Sequence, residues 1–260
     1  MKFKILTGLL TGLVVSTTTS LVNCQPSHAE NKSLLLGIPI NPNVRLFAAA
    51  KVDLGVQVAS EFVAAEPTAK DFYAEGEDKR KKGDYPGAIE AYSQAIQLNP
   101  NNAQAYNERG NARYMLGDKQ AALTDYDQAL KVDPNYAPAY TNRGNARDDL
   151  GDKQGAIADY DKSLKINPND ANTHYNRGIT RSRLGDKQGA IADFDQSLKN
   201  SPNNASVYYN RGIARLSLGD KQSAIADLQK AADLFKQQGN TDIYEKILNR
   251  ITEIQDTINP

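Results

Sequence analysis

The 260-residue chain carries 31 lysines and arginines against 31 aspartates and glutamates, which argues against a polyanion-binding surface built on surplus positive charge. One cysteine, Cys24, excludes an intrachain disulfide and a cysteine-based metal site, and two histidines, His28 and His174, are too few for a histidine cluster. Thirteen tyrosines and no tryptophan suit many small amphipathic helix interfaces better than one large apolar core.

Residues 1–29 read as an export signal. Lys2 and Lys4 form a short basic region, residues 5–15 are an apolar run, and a polar stretch leads to Ser27-His28-Ala29, a small-x-small site for cleavage before Glu30. The apolar run is short for a membrane span. Its removal leaves 29 basic against 31 acidic residues, a slightly acidic mature chain. A second reading takes Leu21-Val22-Asn23-Cys24, which resembles a lipobox, with lipid attached at Cys24; Asn23 departs from the small residue expected there. On either reading the chain is expected to leave the cytoplasm of a bacterium, for the periplasm, the thylakoid lumen or the cell surface. Membrane association is expected only with lipidation or a retained signal.

Residues 30–68 have two competing periods. Val52, Leu54, Val56 and Val58 alternate as in a strand, whereas Leu54, Val58 and Phe62 fit a helix, and the segment is read as a helix over 44–65.

From residue 69 onward the chain repeats. Gly76, Gly110, Gly144, Gly178 and Gly212 are spaced by 34, and each is followed seven residues later by a second glycine: Gly83, Gly117, Gly151, Gly185 and Gly219. Alanine recurs at Ala88, Ala122, Ala156, Ala190 and Ala224, and a large residue at Tyr92, Tyr126, Tyr160, Phe194 and Leu228. Pro100, Pro134, Pro168 and Pro202 close four units. Small residues in both helices of a unit let two helices approach closely. The second glycine ends one helix, the aspartate after it starts the next, and Asn-Pro or Asp-Pro stops that one.

These units resemble tetratricopeptide repeats over residues 69–238, as five units of 69–102, 103–136, 137–170, 171–204 and 205–238; the wording is similar to repeats of exported cyanobacterial proteins. Phe72, Tyr106, Tyr140 and Tyr208 stand at the family's tryptophan position, with His174 the exception. The resemblance implies an all-α, right-handed superhelical solenoid of five helix-turn-helix units. Residues 239–260 are expected to cap it, with Ile243, Ile247, Leu248, Ile251, Ile254 and Ile258 as the apolar stripe of a helix.

In units two to five an arginine precedes the first glycine (Arg109, Arg143, Arg177, Arg211) and another follows it by three (Arg113, Arg147, Arg181, Arg215). The same units carry Asp125, Asp159, Asp193 and Asp227 just before the large residue of the second helix. Unit one lacks both sets together, so the charges are expected to pair with one another and to do no chemistry. No phosphate loop, metal-ligand spacing or nucleophile elbow is present, so no catalytic residue, metal or cofactor is expected.

The family resemblance implies a concave groove lined by first helices that holds a peptide or partner helix. Its rows would be Tyr73, Asn107, Thr141, Tyr175 and Tyr209, then Glu77, Asn111, Asn145, Ile179 and Ile213, then Arg80, Tyr114, Asp148, Ser182 and Leu216. The cationic clamp of some family members is not matched, because Asn172 and Asn176 replace its Lys and Arg. The partner-binding candidates are Asn107, Asn111 and Asn145, together with Asn142, for an extended backbone, and an apolar end of Tyr175, Ile179, Tyr209, Ile213 and Leu216. That apolar end serves either a partner or a segment of the same chain, residues 30–68 or the C-terminal helix. The expected role is a non-enzymatic scaffold or assembly factor for an unidentified protein or peptide, as a monomer or within a hetero-complex, and not for nucleic acid. The alternatives are a lipoprotein tethered through Cys24 that helps assemble an envelope or pilus complex, and a regulatory subunit of an enzyme complex.

Overall fold

A computed structural model of the chain describes residues 66–258. The signal, the lipidation candidate Cys24 and the helix read over 44–65 lie outside the described residues. Within them the secondary structure is eleven α-helices joined by short turns. They run α1 (Ala69–Lys81), α2 (Tyr85–Leu98), α3 (Ala103–Met115), α4 (Lys119–Val132), α5 (Ala137–Asp149), α6 (Lys153–Ile166), α7 (Ala171–Arg183), α8 (Lys187–Asn200), α9 (Ala205–Ser217), α10 (Lys221–Gln237) and α11 (Thr241–Asp256). Each odd helix from α1 to α9 packs on the even helix that follows it, each pair stacks on the next, and α11 packs on α10, which makes an all-α solenoid.

Each turn inside a pair repeats one solution. Gly151, with φ of 92°, takes the left-handed conformation that releases the chain from α5. Asp152 then caps α6, its carboxylate accepting from the Gly155 N–H at 2.9 Å. Asp84, Asp118, Asp186 and Asp220 do the same for α2, α4, α8 and α10. Second helices stop at Asn99, Asp133, Asn167 and Ser201, each held out of the helical region ahead of a proline. The fifth unit has Lys236 at the corresponding place, and α10 accordingly runs 17 residues where α8 runs 14.

The core is a line of small clusters. In unit three the Tyr160 ring lies directly against Gly144, so close that a Cβ there would sit 2.6 Å from the ring. Gly76, Gly110 and Gly178 meet Tyr92, Tyr126 and Phe194 in the same way. Ala88, Ala122, Ala156, Ala190 and Ala224 are all fully buried in the second helices. At the C-terminal end Ile247, Ile251 and Ile254 of α11 close over Leu228, Ala231 and Ala232. Ile243, read as part of that stripe, stays exposed in the first turn of α11.

Candidate functional site

The repeated charges form one zipper. Asp159 on α6 is 1% exposed and accepts from one edge of the Arg143 guanidinium, Nε at 2.8 Å and Nη2 at 2.6 Å, and from Arg147 Nη1 at 2.7 Å. Asp125, Asp193 and Asp227 are buried between the matching arginine pairs of their own units. Each first arginine also reaches back one unit: Arg143 to Asp127, Arg177 to Asp161 and Arg211 to Asp195, all at 2.6 Å. Arg109 finds Ser93 Oγ there instead, at 3.1 Å. Burial works against the Arg143 guanidinium, yet Asp159 and Asp127 hold it above its ordinary range. Arg109, Arg143 and Arg211 also lie over Tyr106, Tyr140 and Tyr208 at 5.4–5.6 Å. In unit four His174 is buried in place of that tyrosine, with Nε2 2.9 Å from the Pro168 carbonyl oxygen and Nδ1 3.4 Å from Asp193. Unit one, without the zipper, pairs Lys79 with Glu75 on one helix at 2.8 Å.

A second rule governs the residue after the first glycine. Where the second helix carries tyrosine, that residue is polar and accepts its hydroxyl. Tyr92 donates to Glu77 at 2.6 Å, Tyr126 to Asn111 at 2.9 Å and Tyr160 to Asn145 at 2.8 Å. Burial first, and then the Glu77 carboxylate, push Tyr92 above the ordinary tyrosine range, with Arg80 working against them. Where the second helix carries Phe194 or Leu228 no hydroxyl needs an acceptor, and the matching residues are Ile179 and Ile213. Ile179 packs on the Phe194 cluster, and Ile213 and Leu216 pack on the Leu228–α11 cluster. The C-terminal helix thus engages the cluster to which Ile213 and Leu216 belong. Tyr175 packs on Phe194, and its hydroxyl accepts from Asn210 at 3.0 Å. Of the apolar candidates only Tyr209, 37% exposed, is an exposed residue.

The asparagines divide in the same manner. Asn107 is 1% exposed; its amide donates to Glu108 at 2.9 Å and accepts from Asn142 at 3.0 Å, so nothing of it faces solvent. Asn111 is engaged at both ends by Glu108 and Tyr126. Thr141 bonds to the hydroxyls of Ser163 and Thr173 at 2.8 and 2.7 Å. Asn145 differs: its Oδ1 accepts from Tyr160 and from Asn176 at 2.9 Å, while its Nδ2 has no partner among the described residues. The Oδ1 atoms of Asn142 and Asn176 are likewise without a donor there.

These free amide groups face a groove of about 560 Å³ across α5, α7 and the start of α9. Its lining is mostly uncharged and polar: Thr141, Asn142, Asn145, Asn172, Asn176, Asn204 and Ser206, with Tyr175 as the large ring. Asn142, Asn145 and Tyr175 are the candidates read from the sequence that it brings together. Asn176 was missed as a site residue, although an asparagine two before the glycine recurs as Asn142, Asn176 and Asn210. The free amide groups therefore lie at the midpoint of the array. No group of three or more His, Cys, Asp or Glu side chains among the described residues is arranged to hold a metal ion.

Family models described as TPR repeat or tetratricopeptide repeat match residues 76–117, 103–136, 137–170 and 175–239. No curated protein matches the chain. Among solved structures, MamA is 25% identical with a TM-score of 0.58, over 64% of this chain and 96% of that one. YrrB, a TPR protein with an unusual peptide-binding site, is 19% identical with a TM-score of 0.57, over 70% of this chain and 92% of that one. TTC0263, a TPR protein from Thermus thermophilus, is 20% identical with a TM-score of 0.56, over 70% of this chain and 98% of that one. The chain belongs to the tetratricopeptide-repeat family.

Proposed function

We propose that this tetratricopeptide-repeat chain is a non-enzymatic adaptor that holds an extended segment of a partner protein along α5 and α7. The observation that carries the reading is the unspent amide pair, the Asn145 Nδ2 donor and the Asn176 Oδ1 acceptor, in a mostly uncharged groove. An extended backbone offers an N–H and a C=O at every residue and needs such mixed partners. The arginines that would make the face attractive to polyanions are bound to Asp125, Asp159, Asp193 and Asp227. The peptide-binding site of YrrB makes peptide capture a use that the shared fold supports.

The test uses the full chain against an immobilised array of nine-residue peptides of randomised sequence. Asn176→Ala and Asn145→Ala are each expected to weaken capture about tenfold, the value of roughly one lost hydrogen bond. Capture unchanged in both variants overturns the reading. On the N-terminal pattern we also propose export with cleavage before Glu30, so that the mass of the native mature chain begins at Glu30. A lipid mass on Cys24 supports the tethered form instead.

A further inference from the structure

A second recess of about 260 Å³ shares Asn145 and Asn176 with the groove. Asp148, near the end of α5, lines this recess with a side chain only 8% exposed. Its Oδ2 accepts from Arg183 of the next unit. Its Oδ1 is buried and meets no donor among the described residues. The neighbouring Asp149 is differently placed: its Oδ2 accepts from the Tyr114 hydroxyl at 2.6 Å and from Lys119 Nζ at 2.8 Å. Burial works against the Asp149 charge, but those two donors hold its carboxyl below the ordinary aspartate range.

Asp148 departs from the pattern of the molecule. Asp125, Asp159, Asp193 and Asp227 are each buried and each matched on both oxygens by arginines. A buried carboxylate oxygen left without a donor is destabilising, and a ligand that brings a donor relieves it. We infer that this recess is a side-chain subsite of the groove and takes a lysine or arginine side chain of the bound segment. The inference rests on the peptide-groove reading above.

The chemistry of the walls selects a cation. Two free acceptors belong to residues of the recess lining, Asp148 Oδ1 and Asn176 Oδ1, together with the Asn145 Nδ2 donor, and a charge-assisted bond to a carboxylate is about twice as strong as a neutral one. Ile179 supplies an apolar wall for an aliphatic stem. The rim cation, Arg183, is already engaged by Asp148.

The experiment is a positional scan of the same nine-residue array with the full chain, one position fixed in turn to each amino acid. Lysine or arginine at one position is expected to raise capture about tenfold over glutamate. Asp148→Asn, which keeps the shape and an acceptor for Arg183, is expected to erase that preference while capture of the rest of the library stays within about twofold. Arg183→Gln is expected to keep it. The subsite is overturned by capture with no basic preference at any position, as when water alone occupies the recess. It is also overturned by a preference that survives Asp148→Asn, or by an acidic preference lost in Arg183→Gln. Failure of the unmodified chain to capture any peptide overturns the groove reading itself, and the subsite falls with it.

Discussion

Asp159 receives three hydrogen bonds from two arginines of its own unit, and two residues further on Asp161 takes Arg177 of the next unit. A carboxylate so buried is held only by its partners, and removal of one partner leaves charge uncompensated. Asp159→Ala is expected to cost about 3 kcal/mol, the low end for a broken buried pair because its arginines keep some access to water. Arg143→Ala with Asp159→Ala is expected to cost clearly less than the sum of the single variants, in urea titrations of the full chain. Additive costs would show that the pair does not act as one. The within-unit pairs were readable in the sequence because Arg and Asp disappear together in unit one, at Glu75, Lys79 and Ala91. The links between units were not read, since Asp127, Asp161 and Asp195 are exposed and look like solvated charges. A signal was present: they occur only in units that an arginine-bearing unit follows, while unit five has Gln229 there.

At the scale of the helix pair, the contact between first glycine and large residue sets the packing distance, and the next residue answers the chemistry of that large side chain. Gly144→Ala places a methyl 2.6 Å from the Tyr160 ring and is expected to cost about 1–3 kcal/mol. Gly212→Ala, where the nearest atoms are 3.2 Å away around Leu228, is expected to cost less. Thermal melts of the two variants check the order, and equal costs contradict it. Phe194→Tyr in unit four is expected to destabilise by about 1–3 kcal/mol, because Ile179 offers its hydroxyl no acceptor. Adding Ile179→Asn recreates the pairing of Tyr160 with Asn145 and is expected to recover part of the loss; a double variant at the sum of both costs refutes the rule. The same rule gives Ile179 and Ile213 a packing role that the sequence reading did not assign. They match Phe194 and Leu228 from within, and the hydrophobicity of the first helix alone does not show what lies across from it.

For the molecule as a whole, stability comes from stacking, and α11 completes the last interface. Ile251→Asp should open the Leu228–Ala231–Ala232 cluster and leave unit two untouched. Hydrogen exchange is expected to quicken in α9 and α10 while α3 and α4 keep their protection; uniform loss along the array contradicts nearest-neighbour stacking. The repeat boundaries and the turns were plain in the sequence because glycine, aspartate and proline act through local backbone geometry. The groove was only partly readable. Which amides remain free depends on bonds between residues 31 to 35 apart, such as Asn176 to Asn145 and Asn142 to Asn107, and these decide that Asn107 is spent and Asn145 is not.

The central claim, that the concave face of α5 and α7 receives a partner segment while the charges only hold the array together, meets its most direct test in amide chemical-shift mapping of the full chain titrated with a peptide selected from the array. The account predicts shifts that centre on Asn142, Asn145, Asn172 and Asn176 and leave α4, α6 and α8 unmoved. Shifts centred on the exposed edge of Leu116, Leu150, Leu184 and Leu218, with the asparagines unmoved, would contradict it.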